Sequence, residues 1–239
     1  MRTLIYVPVI HTSADLGSLA GDVTKRGIAD LGEDVWKEHQ RTVEGLWDAI
    51  SHYFDSVDVT GTKIYQDGMV VGGEIGQNIV EETAKAGSKN YELVSRLLKR
   101  GAFLVKTEDL RLVKEERDRL LTITQAKTIT QKIIAFIKYK LIKNILLNKR
   151  DNYIAKRINE TLNNGATGII FIGAYHNIKK RLPKDIQIME IKDADKVKEY
   201  QKLLPFCSKN KKRFEELGRY LISEINPSTL TTGYSKGAG

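Results

Sequence analysis

The sequence predicts an α/β fold, a mainly parallel central sheet flanked by helices and carrying a long helical insertion. Three observations lead there. Short apolar, β-branched runs recur at residues 4–10, 57–65, 102–105 and 168–172, the composition of strands buried on both faces of a parallel sheet. Stretches with helical periodicity separate the runs, which is the alternation of crossover-linked strands. Between the third and fourth runs, residues 110–147 contain neither Gly nor Pro and read as a continuous helical excursion.

Taken in order, Leu4-Ile5-Tyr6-Val7-Pro8-Val9-Ile10 is the first strand, although Pro8 cannot donate to a central ladder. A polar loop, His11-Thr12-Ser13-Ala14-Asp15, follows it. Val35, Val43, Leu46, Trp47 and Ile50 recur at helical spacing, and residues 57–65 then form the second strand, ending at Gln66-Asp67-Gly68. Gly72-Gly73-Glu74-Ile75-Gly76 lacks the Gly-Lys-Ser/Thr of a phosphate cradle and reads as a flexible loop. Ser88 caps a helix whose Leu93, Leu97 and Leu98 face inward, and Gly101 ends it. After a third strand, residues 102–105, comes the insertion at about 110–148, in which Ile133, Ile134, Ile137, Leu141 and Ile145 alternate with Lys138, Lys140, Lys143 and Lys149. Basic amphipathic helices of this kind serve as lids, dimer faces or membrane-surface elements, and burial against its own domain or a second copy is the plain expectation, which makes a homodimer through the insertion an expected assembly. Residues 185–191 alternate as a half-exposed strand, residues 196–204 and 211–225 are helices, and residues 226–239 read as a mobile tail. The whole is a single domain over residues 1–225.

Composition narrows the function classes. The 39 Lys and Arg exceed the 30 Asp and Glu by nine, which suits an anionic partner, yet no nucleic-acid-binding signature accompanies the charge, so nucleic acid is not the favoured partner. One cysteine, Cys207, rules out an intramolecular disulfide and a cysteine-based zinc site, as expected of a cytoplasmic protein. No apolar stretch reaches the roughly 18 residues of a transmembrane helix.

The chemistry gathers around NNGATGIIFIGAYHN at residues 163–177. The strand ends in Gly-Ala-Tyr-His and delivers His176 to a carboxyl edge, where open α/β sheets keep their ligand sites. A helix starting at Asp151 and ending at Asn164 rises about 21 Å. The strand that follows returns about 20 Å, which sets Arg150 and Asp151 level with His176. Crossover connections bring the other carboxyl ends to the same edge, so His11, Asp67 and Glu108 belong there too. Two imidazoles and two carboxylates (His11, His176, Asp67, Glu108) suit zinc, manganese or cobalt, and such a metal activates water for hydrolysis. Arg150 is suited to a substrate carboxylate or a developing oxyanion, and Ser13 and Tyr175 flank the two histidines as further substrate contacts.

With these residues assembled, the chain resembles the TraB/PrgY superfamily, which includes the Tiki proteases and ChaN-like and erythromycin-esterase-like proteins. Lys149-Arg150-Asp151-Asn152-Tyr153-Ile154-Ala155 is similar to the family's arginine segment, and Gly173-Ala174-Tyr175-His176 to its second Gly-x-x-His motif. Pro8-Val9-Ile10-His11 keeps the first histidine with proline in place of glycine, and Asp67 stands where the family usually has glutamate. The resemblance implies a metal-dependent, peptidase-like hydrolase acting on a peptide or an anionic small molecule, with His11, Asp67, Arg150 and His176 as the catalytic set. The alternative is a non-catalytic binding or signalling protein of the same fold that recognises an anionic partner through its basic helical surface.

Overall fold

Strand β1 (Arg2–Val9) sends successive side chains to opposite faces, and both faces are covered. Ile5, Val7 and Val9 enter one core and Leu4 and Tyr6 the other. The computed structural model describes residues 1–12, 14–15, 20–126, 128–226 and 231–234. Strands β2 (Lys63–Gln66), β3 (Phe103–Val105), β4 (Thr167–Gly173) and β5 (Ile186–Glu190) run parallel to β1 in the order β3-β2-β4-β1-β5. The expected mainly parallel sheet is therefore present. Thr231–Tyr234, placed by the sequence reading in a mobile tail, instead adds an antiparallel edge strand, β6, against β5. Asn226 is exposed and outside any helix or strand, and residues 227–230 and 235–239 lie outside the described residues.

Helices α1 (Ala20–Leu31), α2 (Glu33–Asp55), α3 (Gly73–Lys85) and α4 (Lys89–Lys99) precede β3. On one face of the sheet, Val43, Leu46, Trp47, Ile50 and Phe54 of α2 and Leu93, Val94 and Leu97 of α4 pack on Ile5, Val7, Ile169 and Phe171. This is the periodic stripe that the sequence shows for both helices. Helices α7 (Ala194–Leu203) and α8 (Lys211–Ile222) complete that core with Val197, Tyr200, Phe214, Leu217 and Leu221. The other face is covered by Ile154, Ala155, Ile158 and Leu162, which pack on Leu4, Tyr6, Ile170 and Ile172.

Pro8 sits in a central strand at no cost to the ladder. Tyr6 faces β5 with its backbone, its carbonyl accepting from Ile191 N at 3.2 Å, and Pro8 shares that orientation two residues on. The pairing of β1 with β5 stops at Tyr6 and Glu190, so the missing N–H falls beyond its end.

Three local expectations are revised. Residues 57–62 turn rather than extend, with Thr60 N donating to Asp58 Oδ1 and Gly61 at a φ of 75°. The glycines at 72–76 open helix α3, and Gly76 is needed for contact, since a Cβ there would lie 2.8 Å from Leu104 Cδ2. The insertion is a hairpin of α5 (Leu110–Thr124), capped by Asp109, and α6 (Ile129–Thr161), opened by a Thr128/Gln131 capping box. Helix α6 does not start again at Asp151. It runs 33 residues from the insertion into the core, so Arg150 and Asp151 are interior helical positions and no boundary exists near 148.

Candidate functional site

All five residues expected at the carboxyl edge meet there. Asp67 follows β2, and its backbone N–H extends the ladder by donating to Phe171 O at 2.9 Å. Its Oδ2 accepts the Gly173 backbone N–H at 3.0 Å, just where β4 ends. Glycine at 173 leaves room for this approach: a Cβ would sit 3.2 Å from that oxygen and press it back from the ladder. The chain then turns, His176 N donating to Gly173 O, and brings His176 Nε2 to 3.4 Å from Asp67 Oδ2. His11, just past β1, places its own Nε2 4.0 Å from the same oxygen.

Each imidazole has a second carboxylate behind it. His176 Nδ1 lies 2.6 Å from Asp151 Oδ1, and Asp151 Oδ2 accepts Asn177 N at 2.8 Å. The pairing puts the proton on Nδ1 and turns Nε2 toward Asp67. His11 Nδ1 lies 3.8 Å from Asp15 Oδ2, and Asp15 is itself held by Thr12 N at 2.6 Å and by Ser88 Oγ. Asp151 and Asp15, to which the sequence assigns no role, are partners of the two imidazoles. Asp151 was findable: it shares the helical stripe of Ala155, Ile158 and Leu162, and a buried acid on an apolar stripe demands a partner.

Arg150 is the hub of the carboxylates. Its Nε donates to Glu108 Oε2 at 2.6 Å, its Nη2 to Asp67 Oδ1 at 2.6 Å and to Glu108 Oε1, and its Nη1 to Glu116 Oε2. Four of the five N–H groups of the fork are thus engaged within the chain. The geometry corrects two expectations. Arg150 cross-links β2, β3 and α5 rather than holding an open fork toward a substrate. Glu108, which also accepts Gly68 N at 2.7 Å, is committed to Arg150 and not offered to a metal. Glu116 was missed because it lies in the insertion, which the sequence reading separated from the site.

Charge is unbalanced here. Asp15, Asp67, Glu108, Glu116 and Asp151 face two guanidiniums, Arg150 and Arg181, the latter 3.9 Å from Asp151; five negative against two positive leaves three uncompensated while the imidazoles are neutral. The titrations respond accordingly. Burial disfavours the charged form of His176, but Asp67 and Asp151 outweigh it and push the pKa up to about 10. Partial desolvation opposes protonation of His11 too, and the carboxylates of Asp15 and Asp67 overcome it, raising its pKa. Burial and the charge of Asp67 push Glu108 up to about 7 despite Arg150. For Asp67, burial is overcome by His176, Arg150 and His11, which hold it well below the usual carboxylate range.

Among the described residues no three His, Cys, Asp or Glu side chains are already gathered as a metal-binding group. The donors His11 Nε2, His176 Nε2 and Asp67 Oδ2 are nevertheless of the right chemistry. Ligands at about 2.0 to 2.2 Å from a common ion lie no more than about 4.4 Å apart, and both distances to Asp67 Oδ2 fall inside that limit. Carboxylates behind metal-binding imidazoles are the usual supporting arrangement.

Beside His11 opens a cavity of about 220 Å³, lined on its apolar side by Ala14, Val23, Trp36 and Val43 and on its polar side by Thr12, His39, Gln40, Glu44 and Lys89. Trp36 Nε1 and Thr12 Oγ1 are buried and have no hydrogen-bond partner among the described residues. His39, to which the sequence reading gave no role, is held neutral by burial, its pKa down at about 4, with Nδ1 3.2 Å from Tyr200 Oη. His11 is 41% exposed and is the one member of the charged cluster that lines this space. Tyr175, expected to touch substrate, is 38% exposed beneath the ammonium groups of Lys143 and Lys198, each 5.4 Å from its ring centre. Ser13 lies outside the described residues. Comparison of the chain with known protein families, with curated proteins and with solved structures finds no match.

Proposed function

We propose that the carboxyl edge is a hydrolytic site that acts on a small carbonyl compound, an ester or amide with an apolar substituent. The observation that carries the reading is the convergence of two imidazole Nε2 atoms on one carboxylate oxygen, each imidazole braced from behind by a further acid. Such a set lies among five acids and two guanidiniums, a balance that protons on the imidazoles or a bound cation can meet. His11, His176 and Asp67 are the residues that would hold a divalent ion such as zinc, manganese or cobalt. When bound, it supplies Lewis acidity and a water whose pKa falls toward roughly 7.

The chain's own groups have separable tasks. Asp151 fixes the tautomer of His176, and Asp15 orients His11. His176, with Arg150 donating to Asp67 Oδ1 and His11 nearby, keeps Asp67 ionised at neutral pH, while Glu108 and Glu116 share the same guanidinium. The cavity takes the apolar substituent over Trp36, Val23 and Val43. His11 stands where this space meets the buried cluster, which is the position for the group nearest the scissile bond.

The test is hydrolysis of a panel of aryl esters and short peptides by protein dialysed and then supplied with Zn, Mn or Co. The reading expects turnover that falls by about a hundredfold or more in His11→Ala, in line with loss of a group that would hold the ion. Equal turnover by His11→Ala and the parent chain would remove this assignment.

A further inference from the structure

Helix α6 presents an uncovered apolar face along the part that precedes the site. Ile133, Ile137 and Leu141 follow one another at intervals of four, with Ile134 and Ile145 on the same side, and all five are at least 49% exposed. The opposite side of the helix is the packed one, where Tyr139 donates to Glu116 of α5 and Leu146 is buried. At 100° per residue, Lys138 and Lys149 fall along one flank of the stripe and Lys140 and Lys143 along the other. No acidic residue occurs between Asp118 and Asp151. An exposed stripe of this size, rimmed by polar residues, marks an interaction surface.

We propose that this face docks on an anionic phospholipid bilayer, the five aliphatic side chains entering the headgroup boundary and the flanking lysines reaching back to lipid phosphates. The charge decides the occupant. Pairing α6 with a second copy would set lysines against lysines, with no acid on the stretch to relieve them. Nucleic acid would engage the lysines but leave the central aliphatic stripe in water. A membrane surface satisfies both, because long lysine side chains lie along apolar surface and extend their ammonium groups to the headgroups. The aliphatic residues give the docking its depth and the lysines its preference for negative lipid. Among the described residues no helix is long and apolar enough to cross a membrane, so the association is superficial and reversible. Helix α6 continues unbroken from the stripe to Arg150 and Asp151, so docking would hold the carboxyl edge of the sheet close to the lipid surface.

The experiment is flotation of the full chain with phosphatidylcholine vesicles, with and without phosphatidylglycerol. Recovery with the anionic vesicles should exceed that with neutral ones by about tenfold or more. Leu141→Glu should abolish flotation, and Lys138→Glu combined with Lys140→Glu should remove the preference for negative lipid; these side chains are exposed, and unchanged circular dichroism would show the fold intact. Three results would overturn the proposal: no flotation with anionic vesicles, flotation unaffected by Leu141→Glu, or a parent chain that sediments as a dimer and becomes a monomer on Leu141→Glu. His11→Ala, which removes the hydrolytic site, should float normally, so failure of either reading is visible apart from the other.

Discussion

Two arginines, Arg2 buried and Arg150 largely covered, stand at opposite ends of the same sheet, and their surroundings differ in kind. At the amino edge, Arg2 gives Nε and Nη2 to the two oxygens of Asp185 and its remaining bonds to the carbonyls of Asn159 and Leu162 and to Asn159 Oδ1. One acid, half exposed, answers one guanidinium, and neutral acceptors use up the rest. At the carboxyl edge, Arg150 is surrounded by three acids, with two further acids behind the histidines. The first arrangement is complete and fastens the end of α6 to the sheet. The second remains short of positive charge unless protons or a cation are taken up. A buried arginine therefore does not itself mark a site; the balance of charge around it does.

The sharpest way to break the comparison is to remove each arginine. Arg150→Ala leaves three acids, Glu108 buried and Asp67 and Glu116 largely covered, around a void and should destabilise the chain by about 3 to 5 kcal/mol. Arg2→Ala, whose lost partners are mostly neutral or can turn to solvent, should cost about 1 to 3 kcal/mol. Urea unfolding of both variants measures the gap, and equal losses would mean that the edges are not different in kind.

The next effect is in the pH profile. The pKa of His176 is raised in the folded state, to about 10 from an ordinary value near 6.5, so its contribution is fully present below about pH 6.5 and is lost as pH rises through about 10. Stability should fall by on the order of 3 kcal/mol across that window. His176→Gln should flatten the decline, and a parent profile already flat from pH 7 to 10 would contradict the assignment.

Smaller changes sharpen the roles. Asp151→Asn keeps the shape of the contact but removes the charge that sets the His176 tautomer, and should weaken divalent-ion affinity by about 10- to 100-fold. Trp36→Phe deletes an indole N–H that has no partner among the described residues, so stability should hardly move. If that N–H meets substrate, KM should rise severalfold with kcat little changed, as measured by initial rates.

Much of this edge was legible in the sequence. The short apolar runs fixed four strand positions, and crossover topology then required His11, Asp67, Glu108 and His176 to share one rim, with Arg150 level with them. The partners of those residues were less visible. Asp15 and Glu116 come from a loop and from the insertion, and no periodicity links them to the site; only tertiary packing does. The start of α6 was misplaced because the amphipathic pattern changes sides along the helix: the apolar residues up to Ile145 face outward, whereas Ile154 and Ile158 face the sheet, which reads as two helices. Residues 231–234 were given to the tail because Thr-Thr-Gly-Tyr has little apolar content, and an edge strand gains its order from backbone pairing with β5.

The central claim is that the carboxyl edge needs a cation and has built a place for it between His11, His176 and Asp67. Calorimetric titration of the metal-free chain with Zn or Mn tests it most directly. The account predicts one ion bound per chain, with affinity lowered by about tenfold or more in His11→Ala, whose exposed imidazole can be removed without unfolding the sheet. No binding by the parent chain, or binding that His11→Ala leaves untouched, would contradict it.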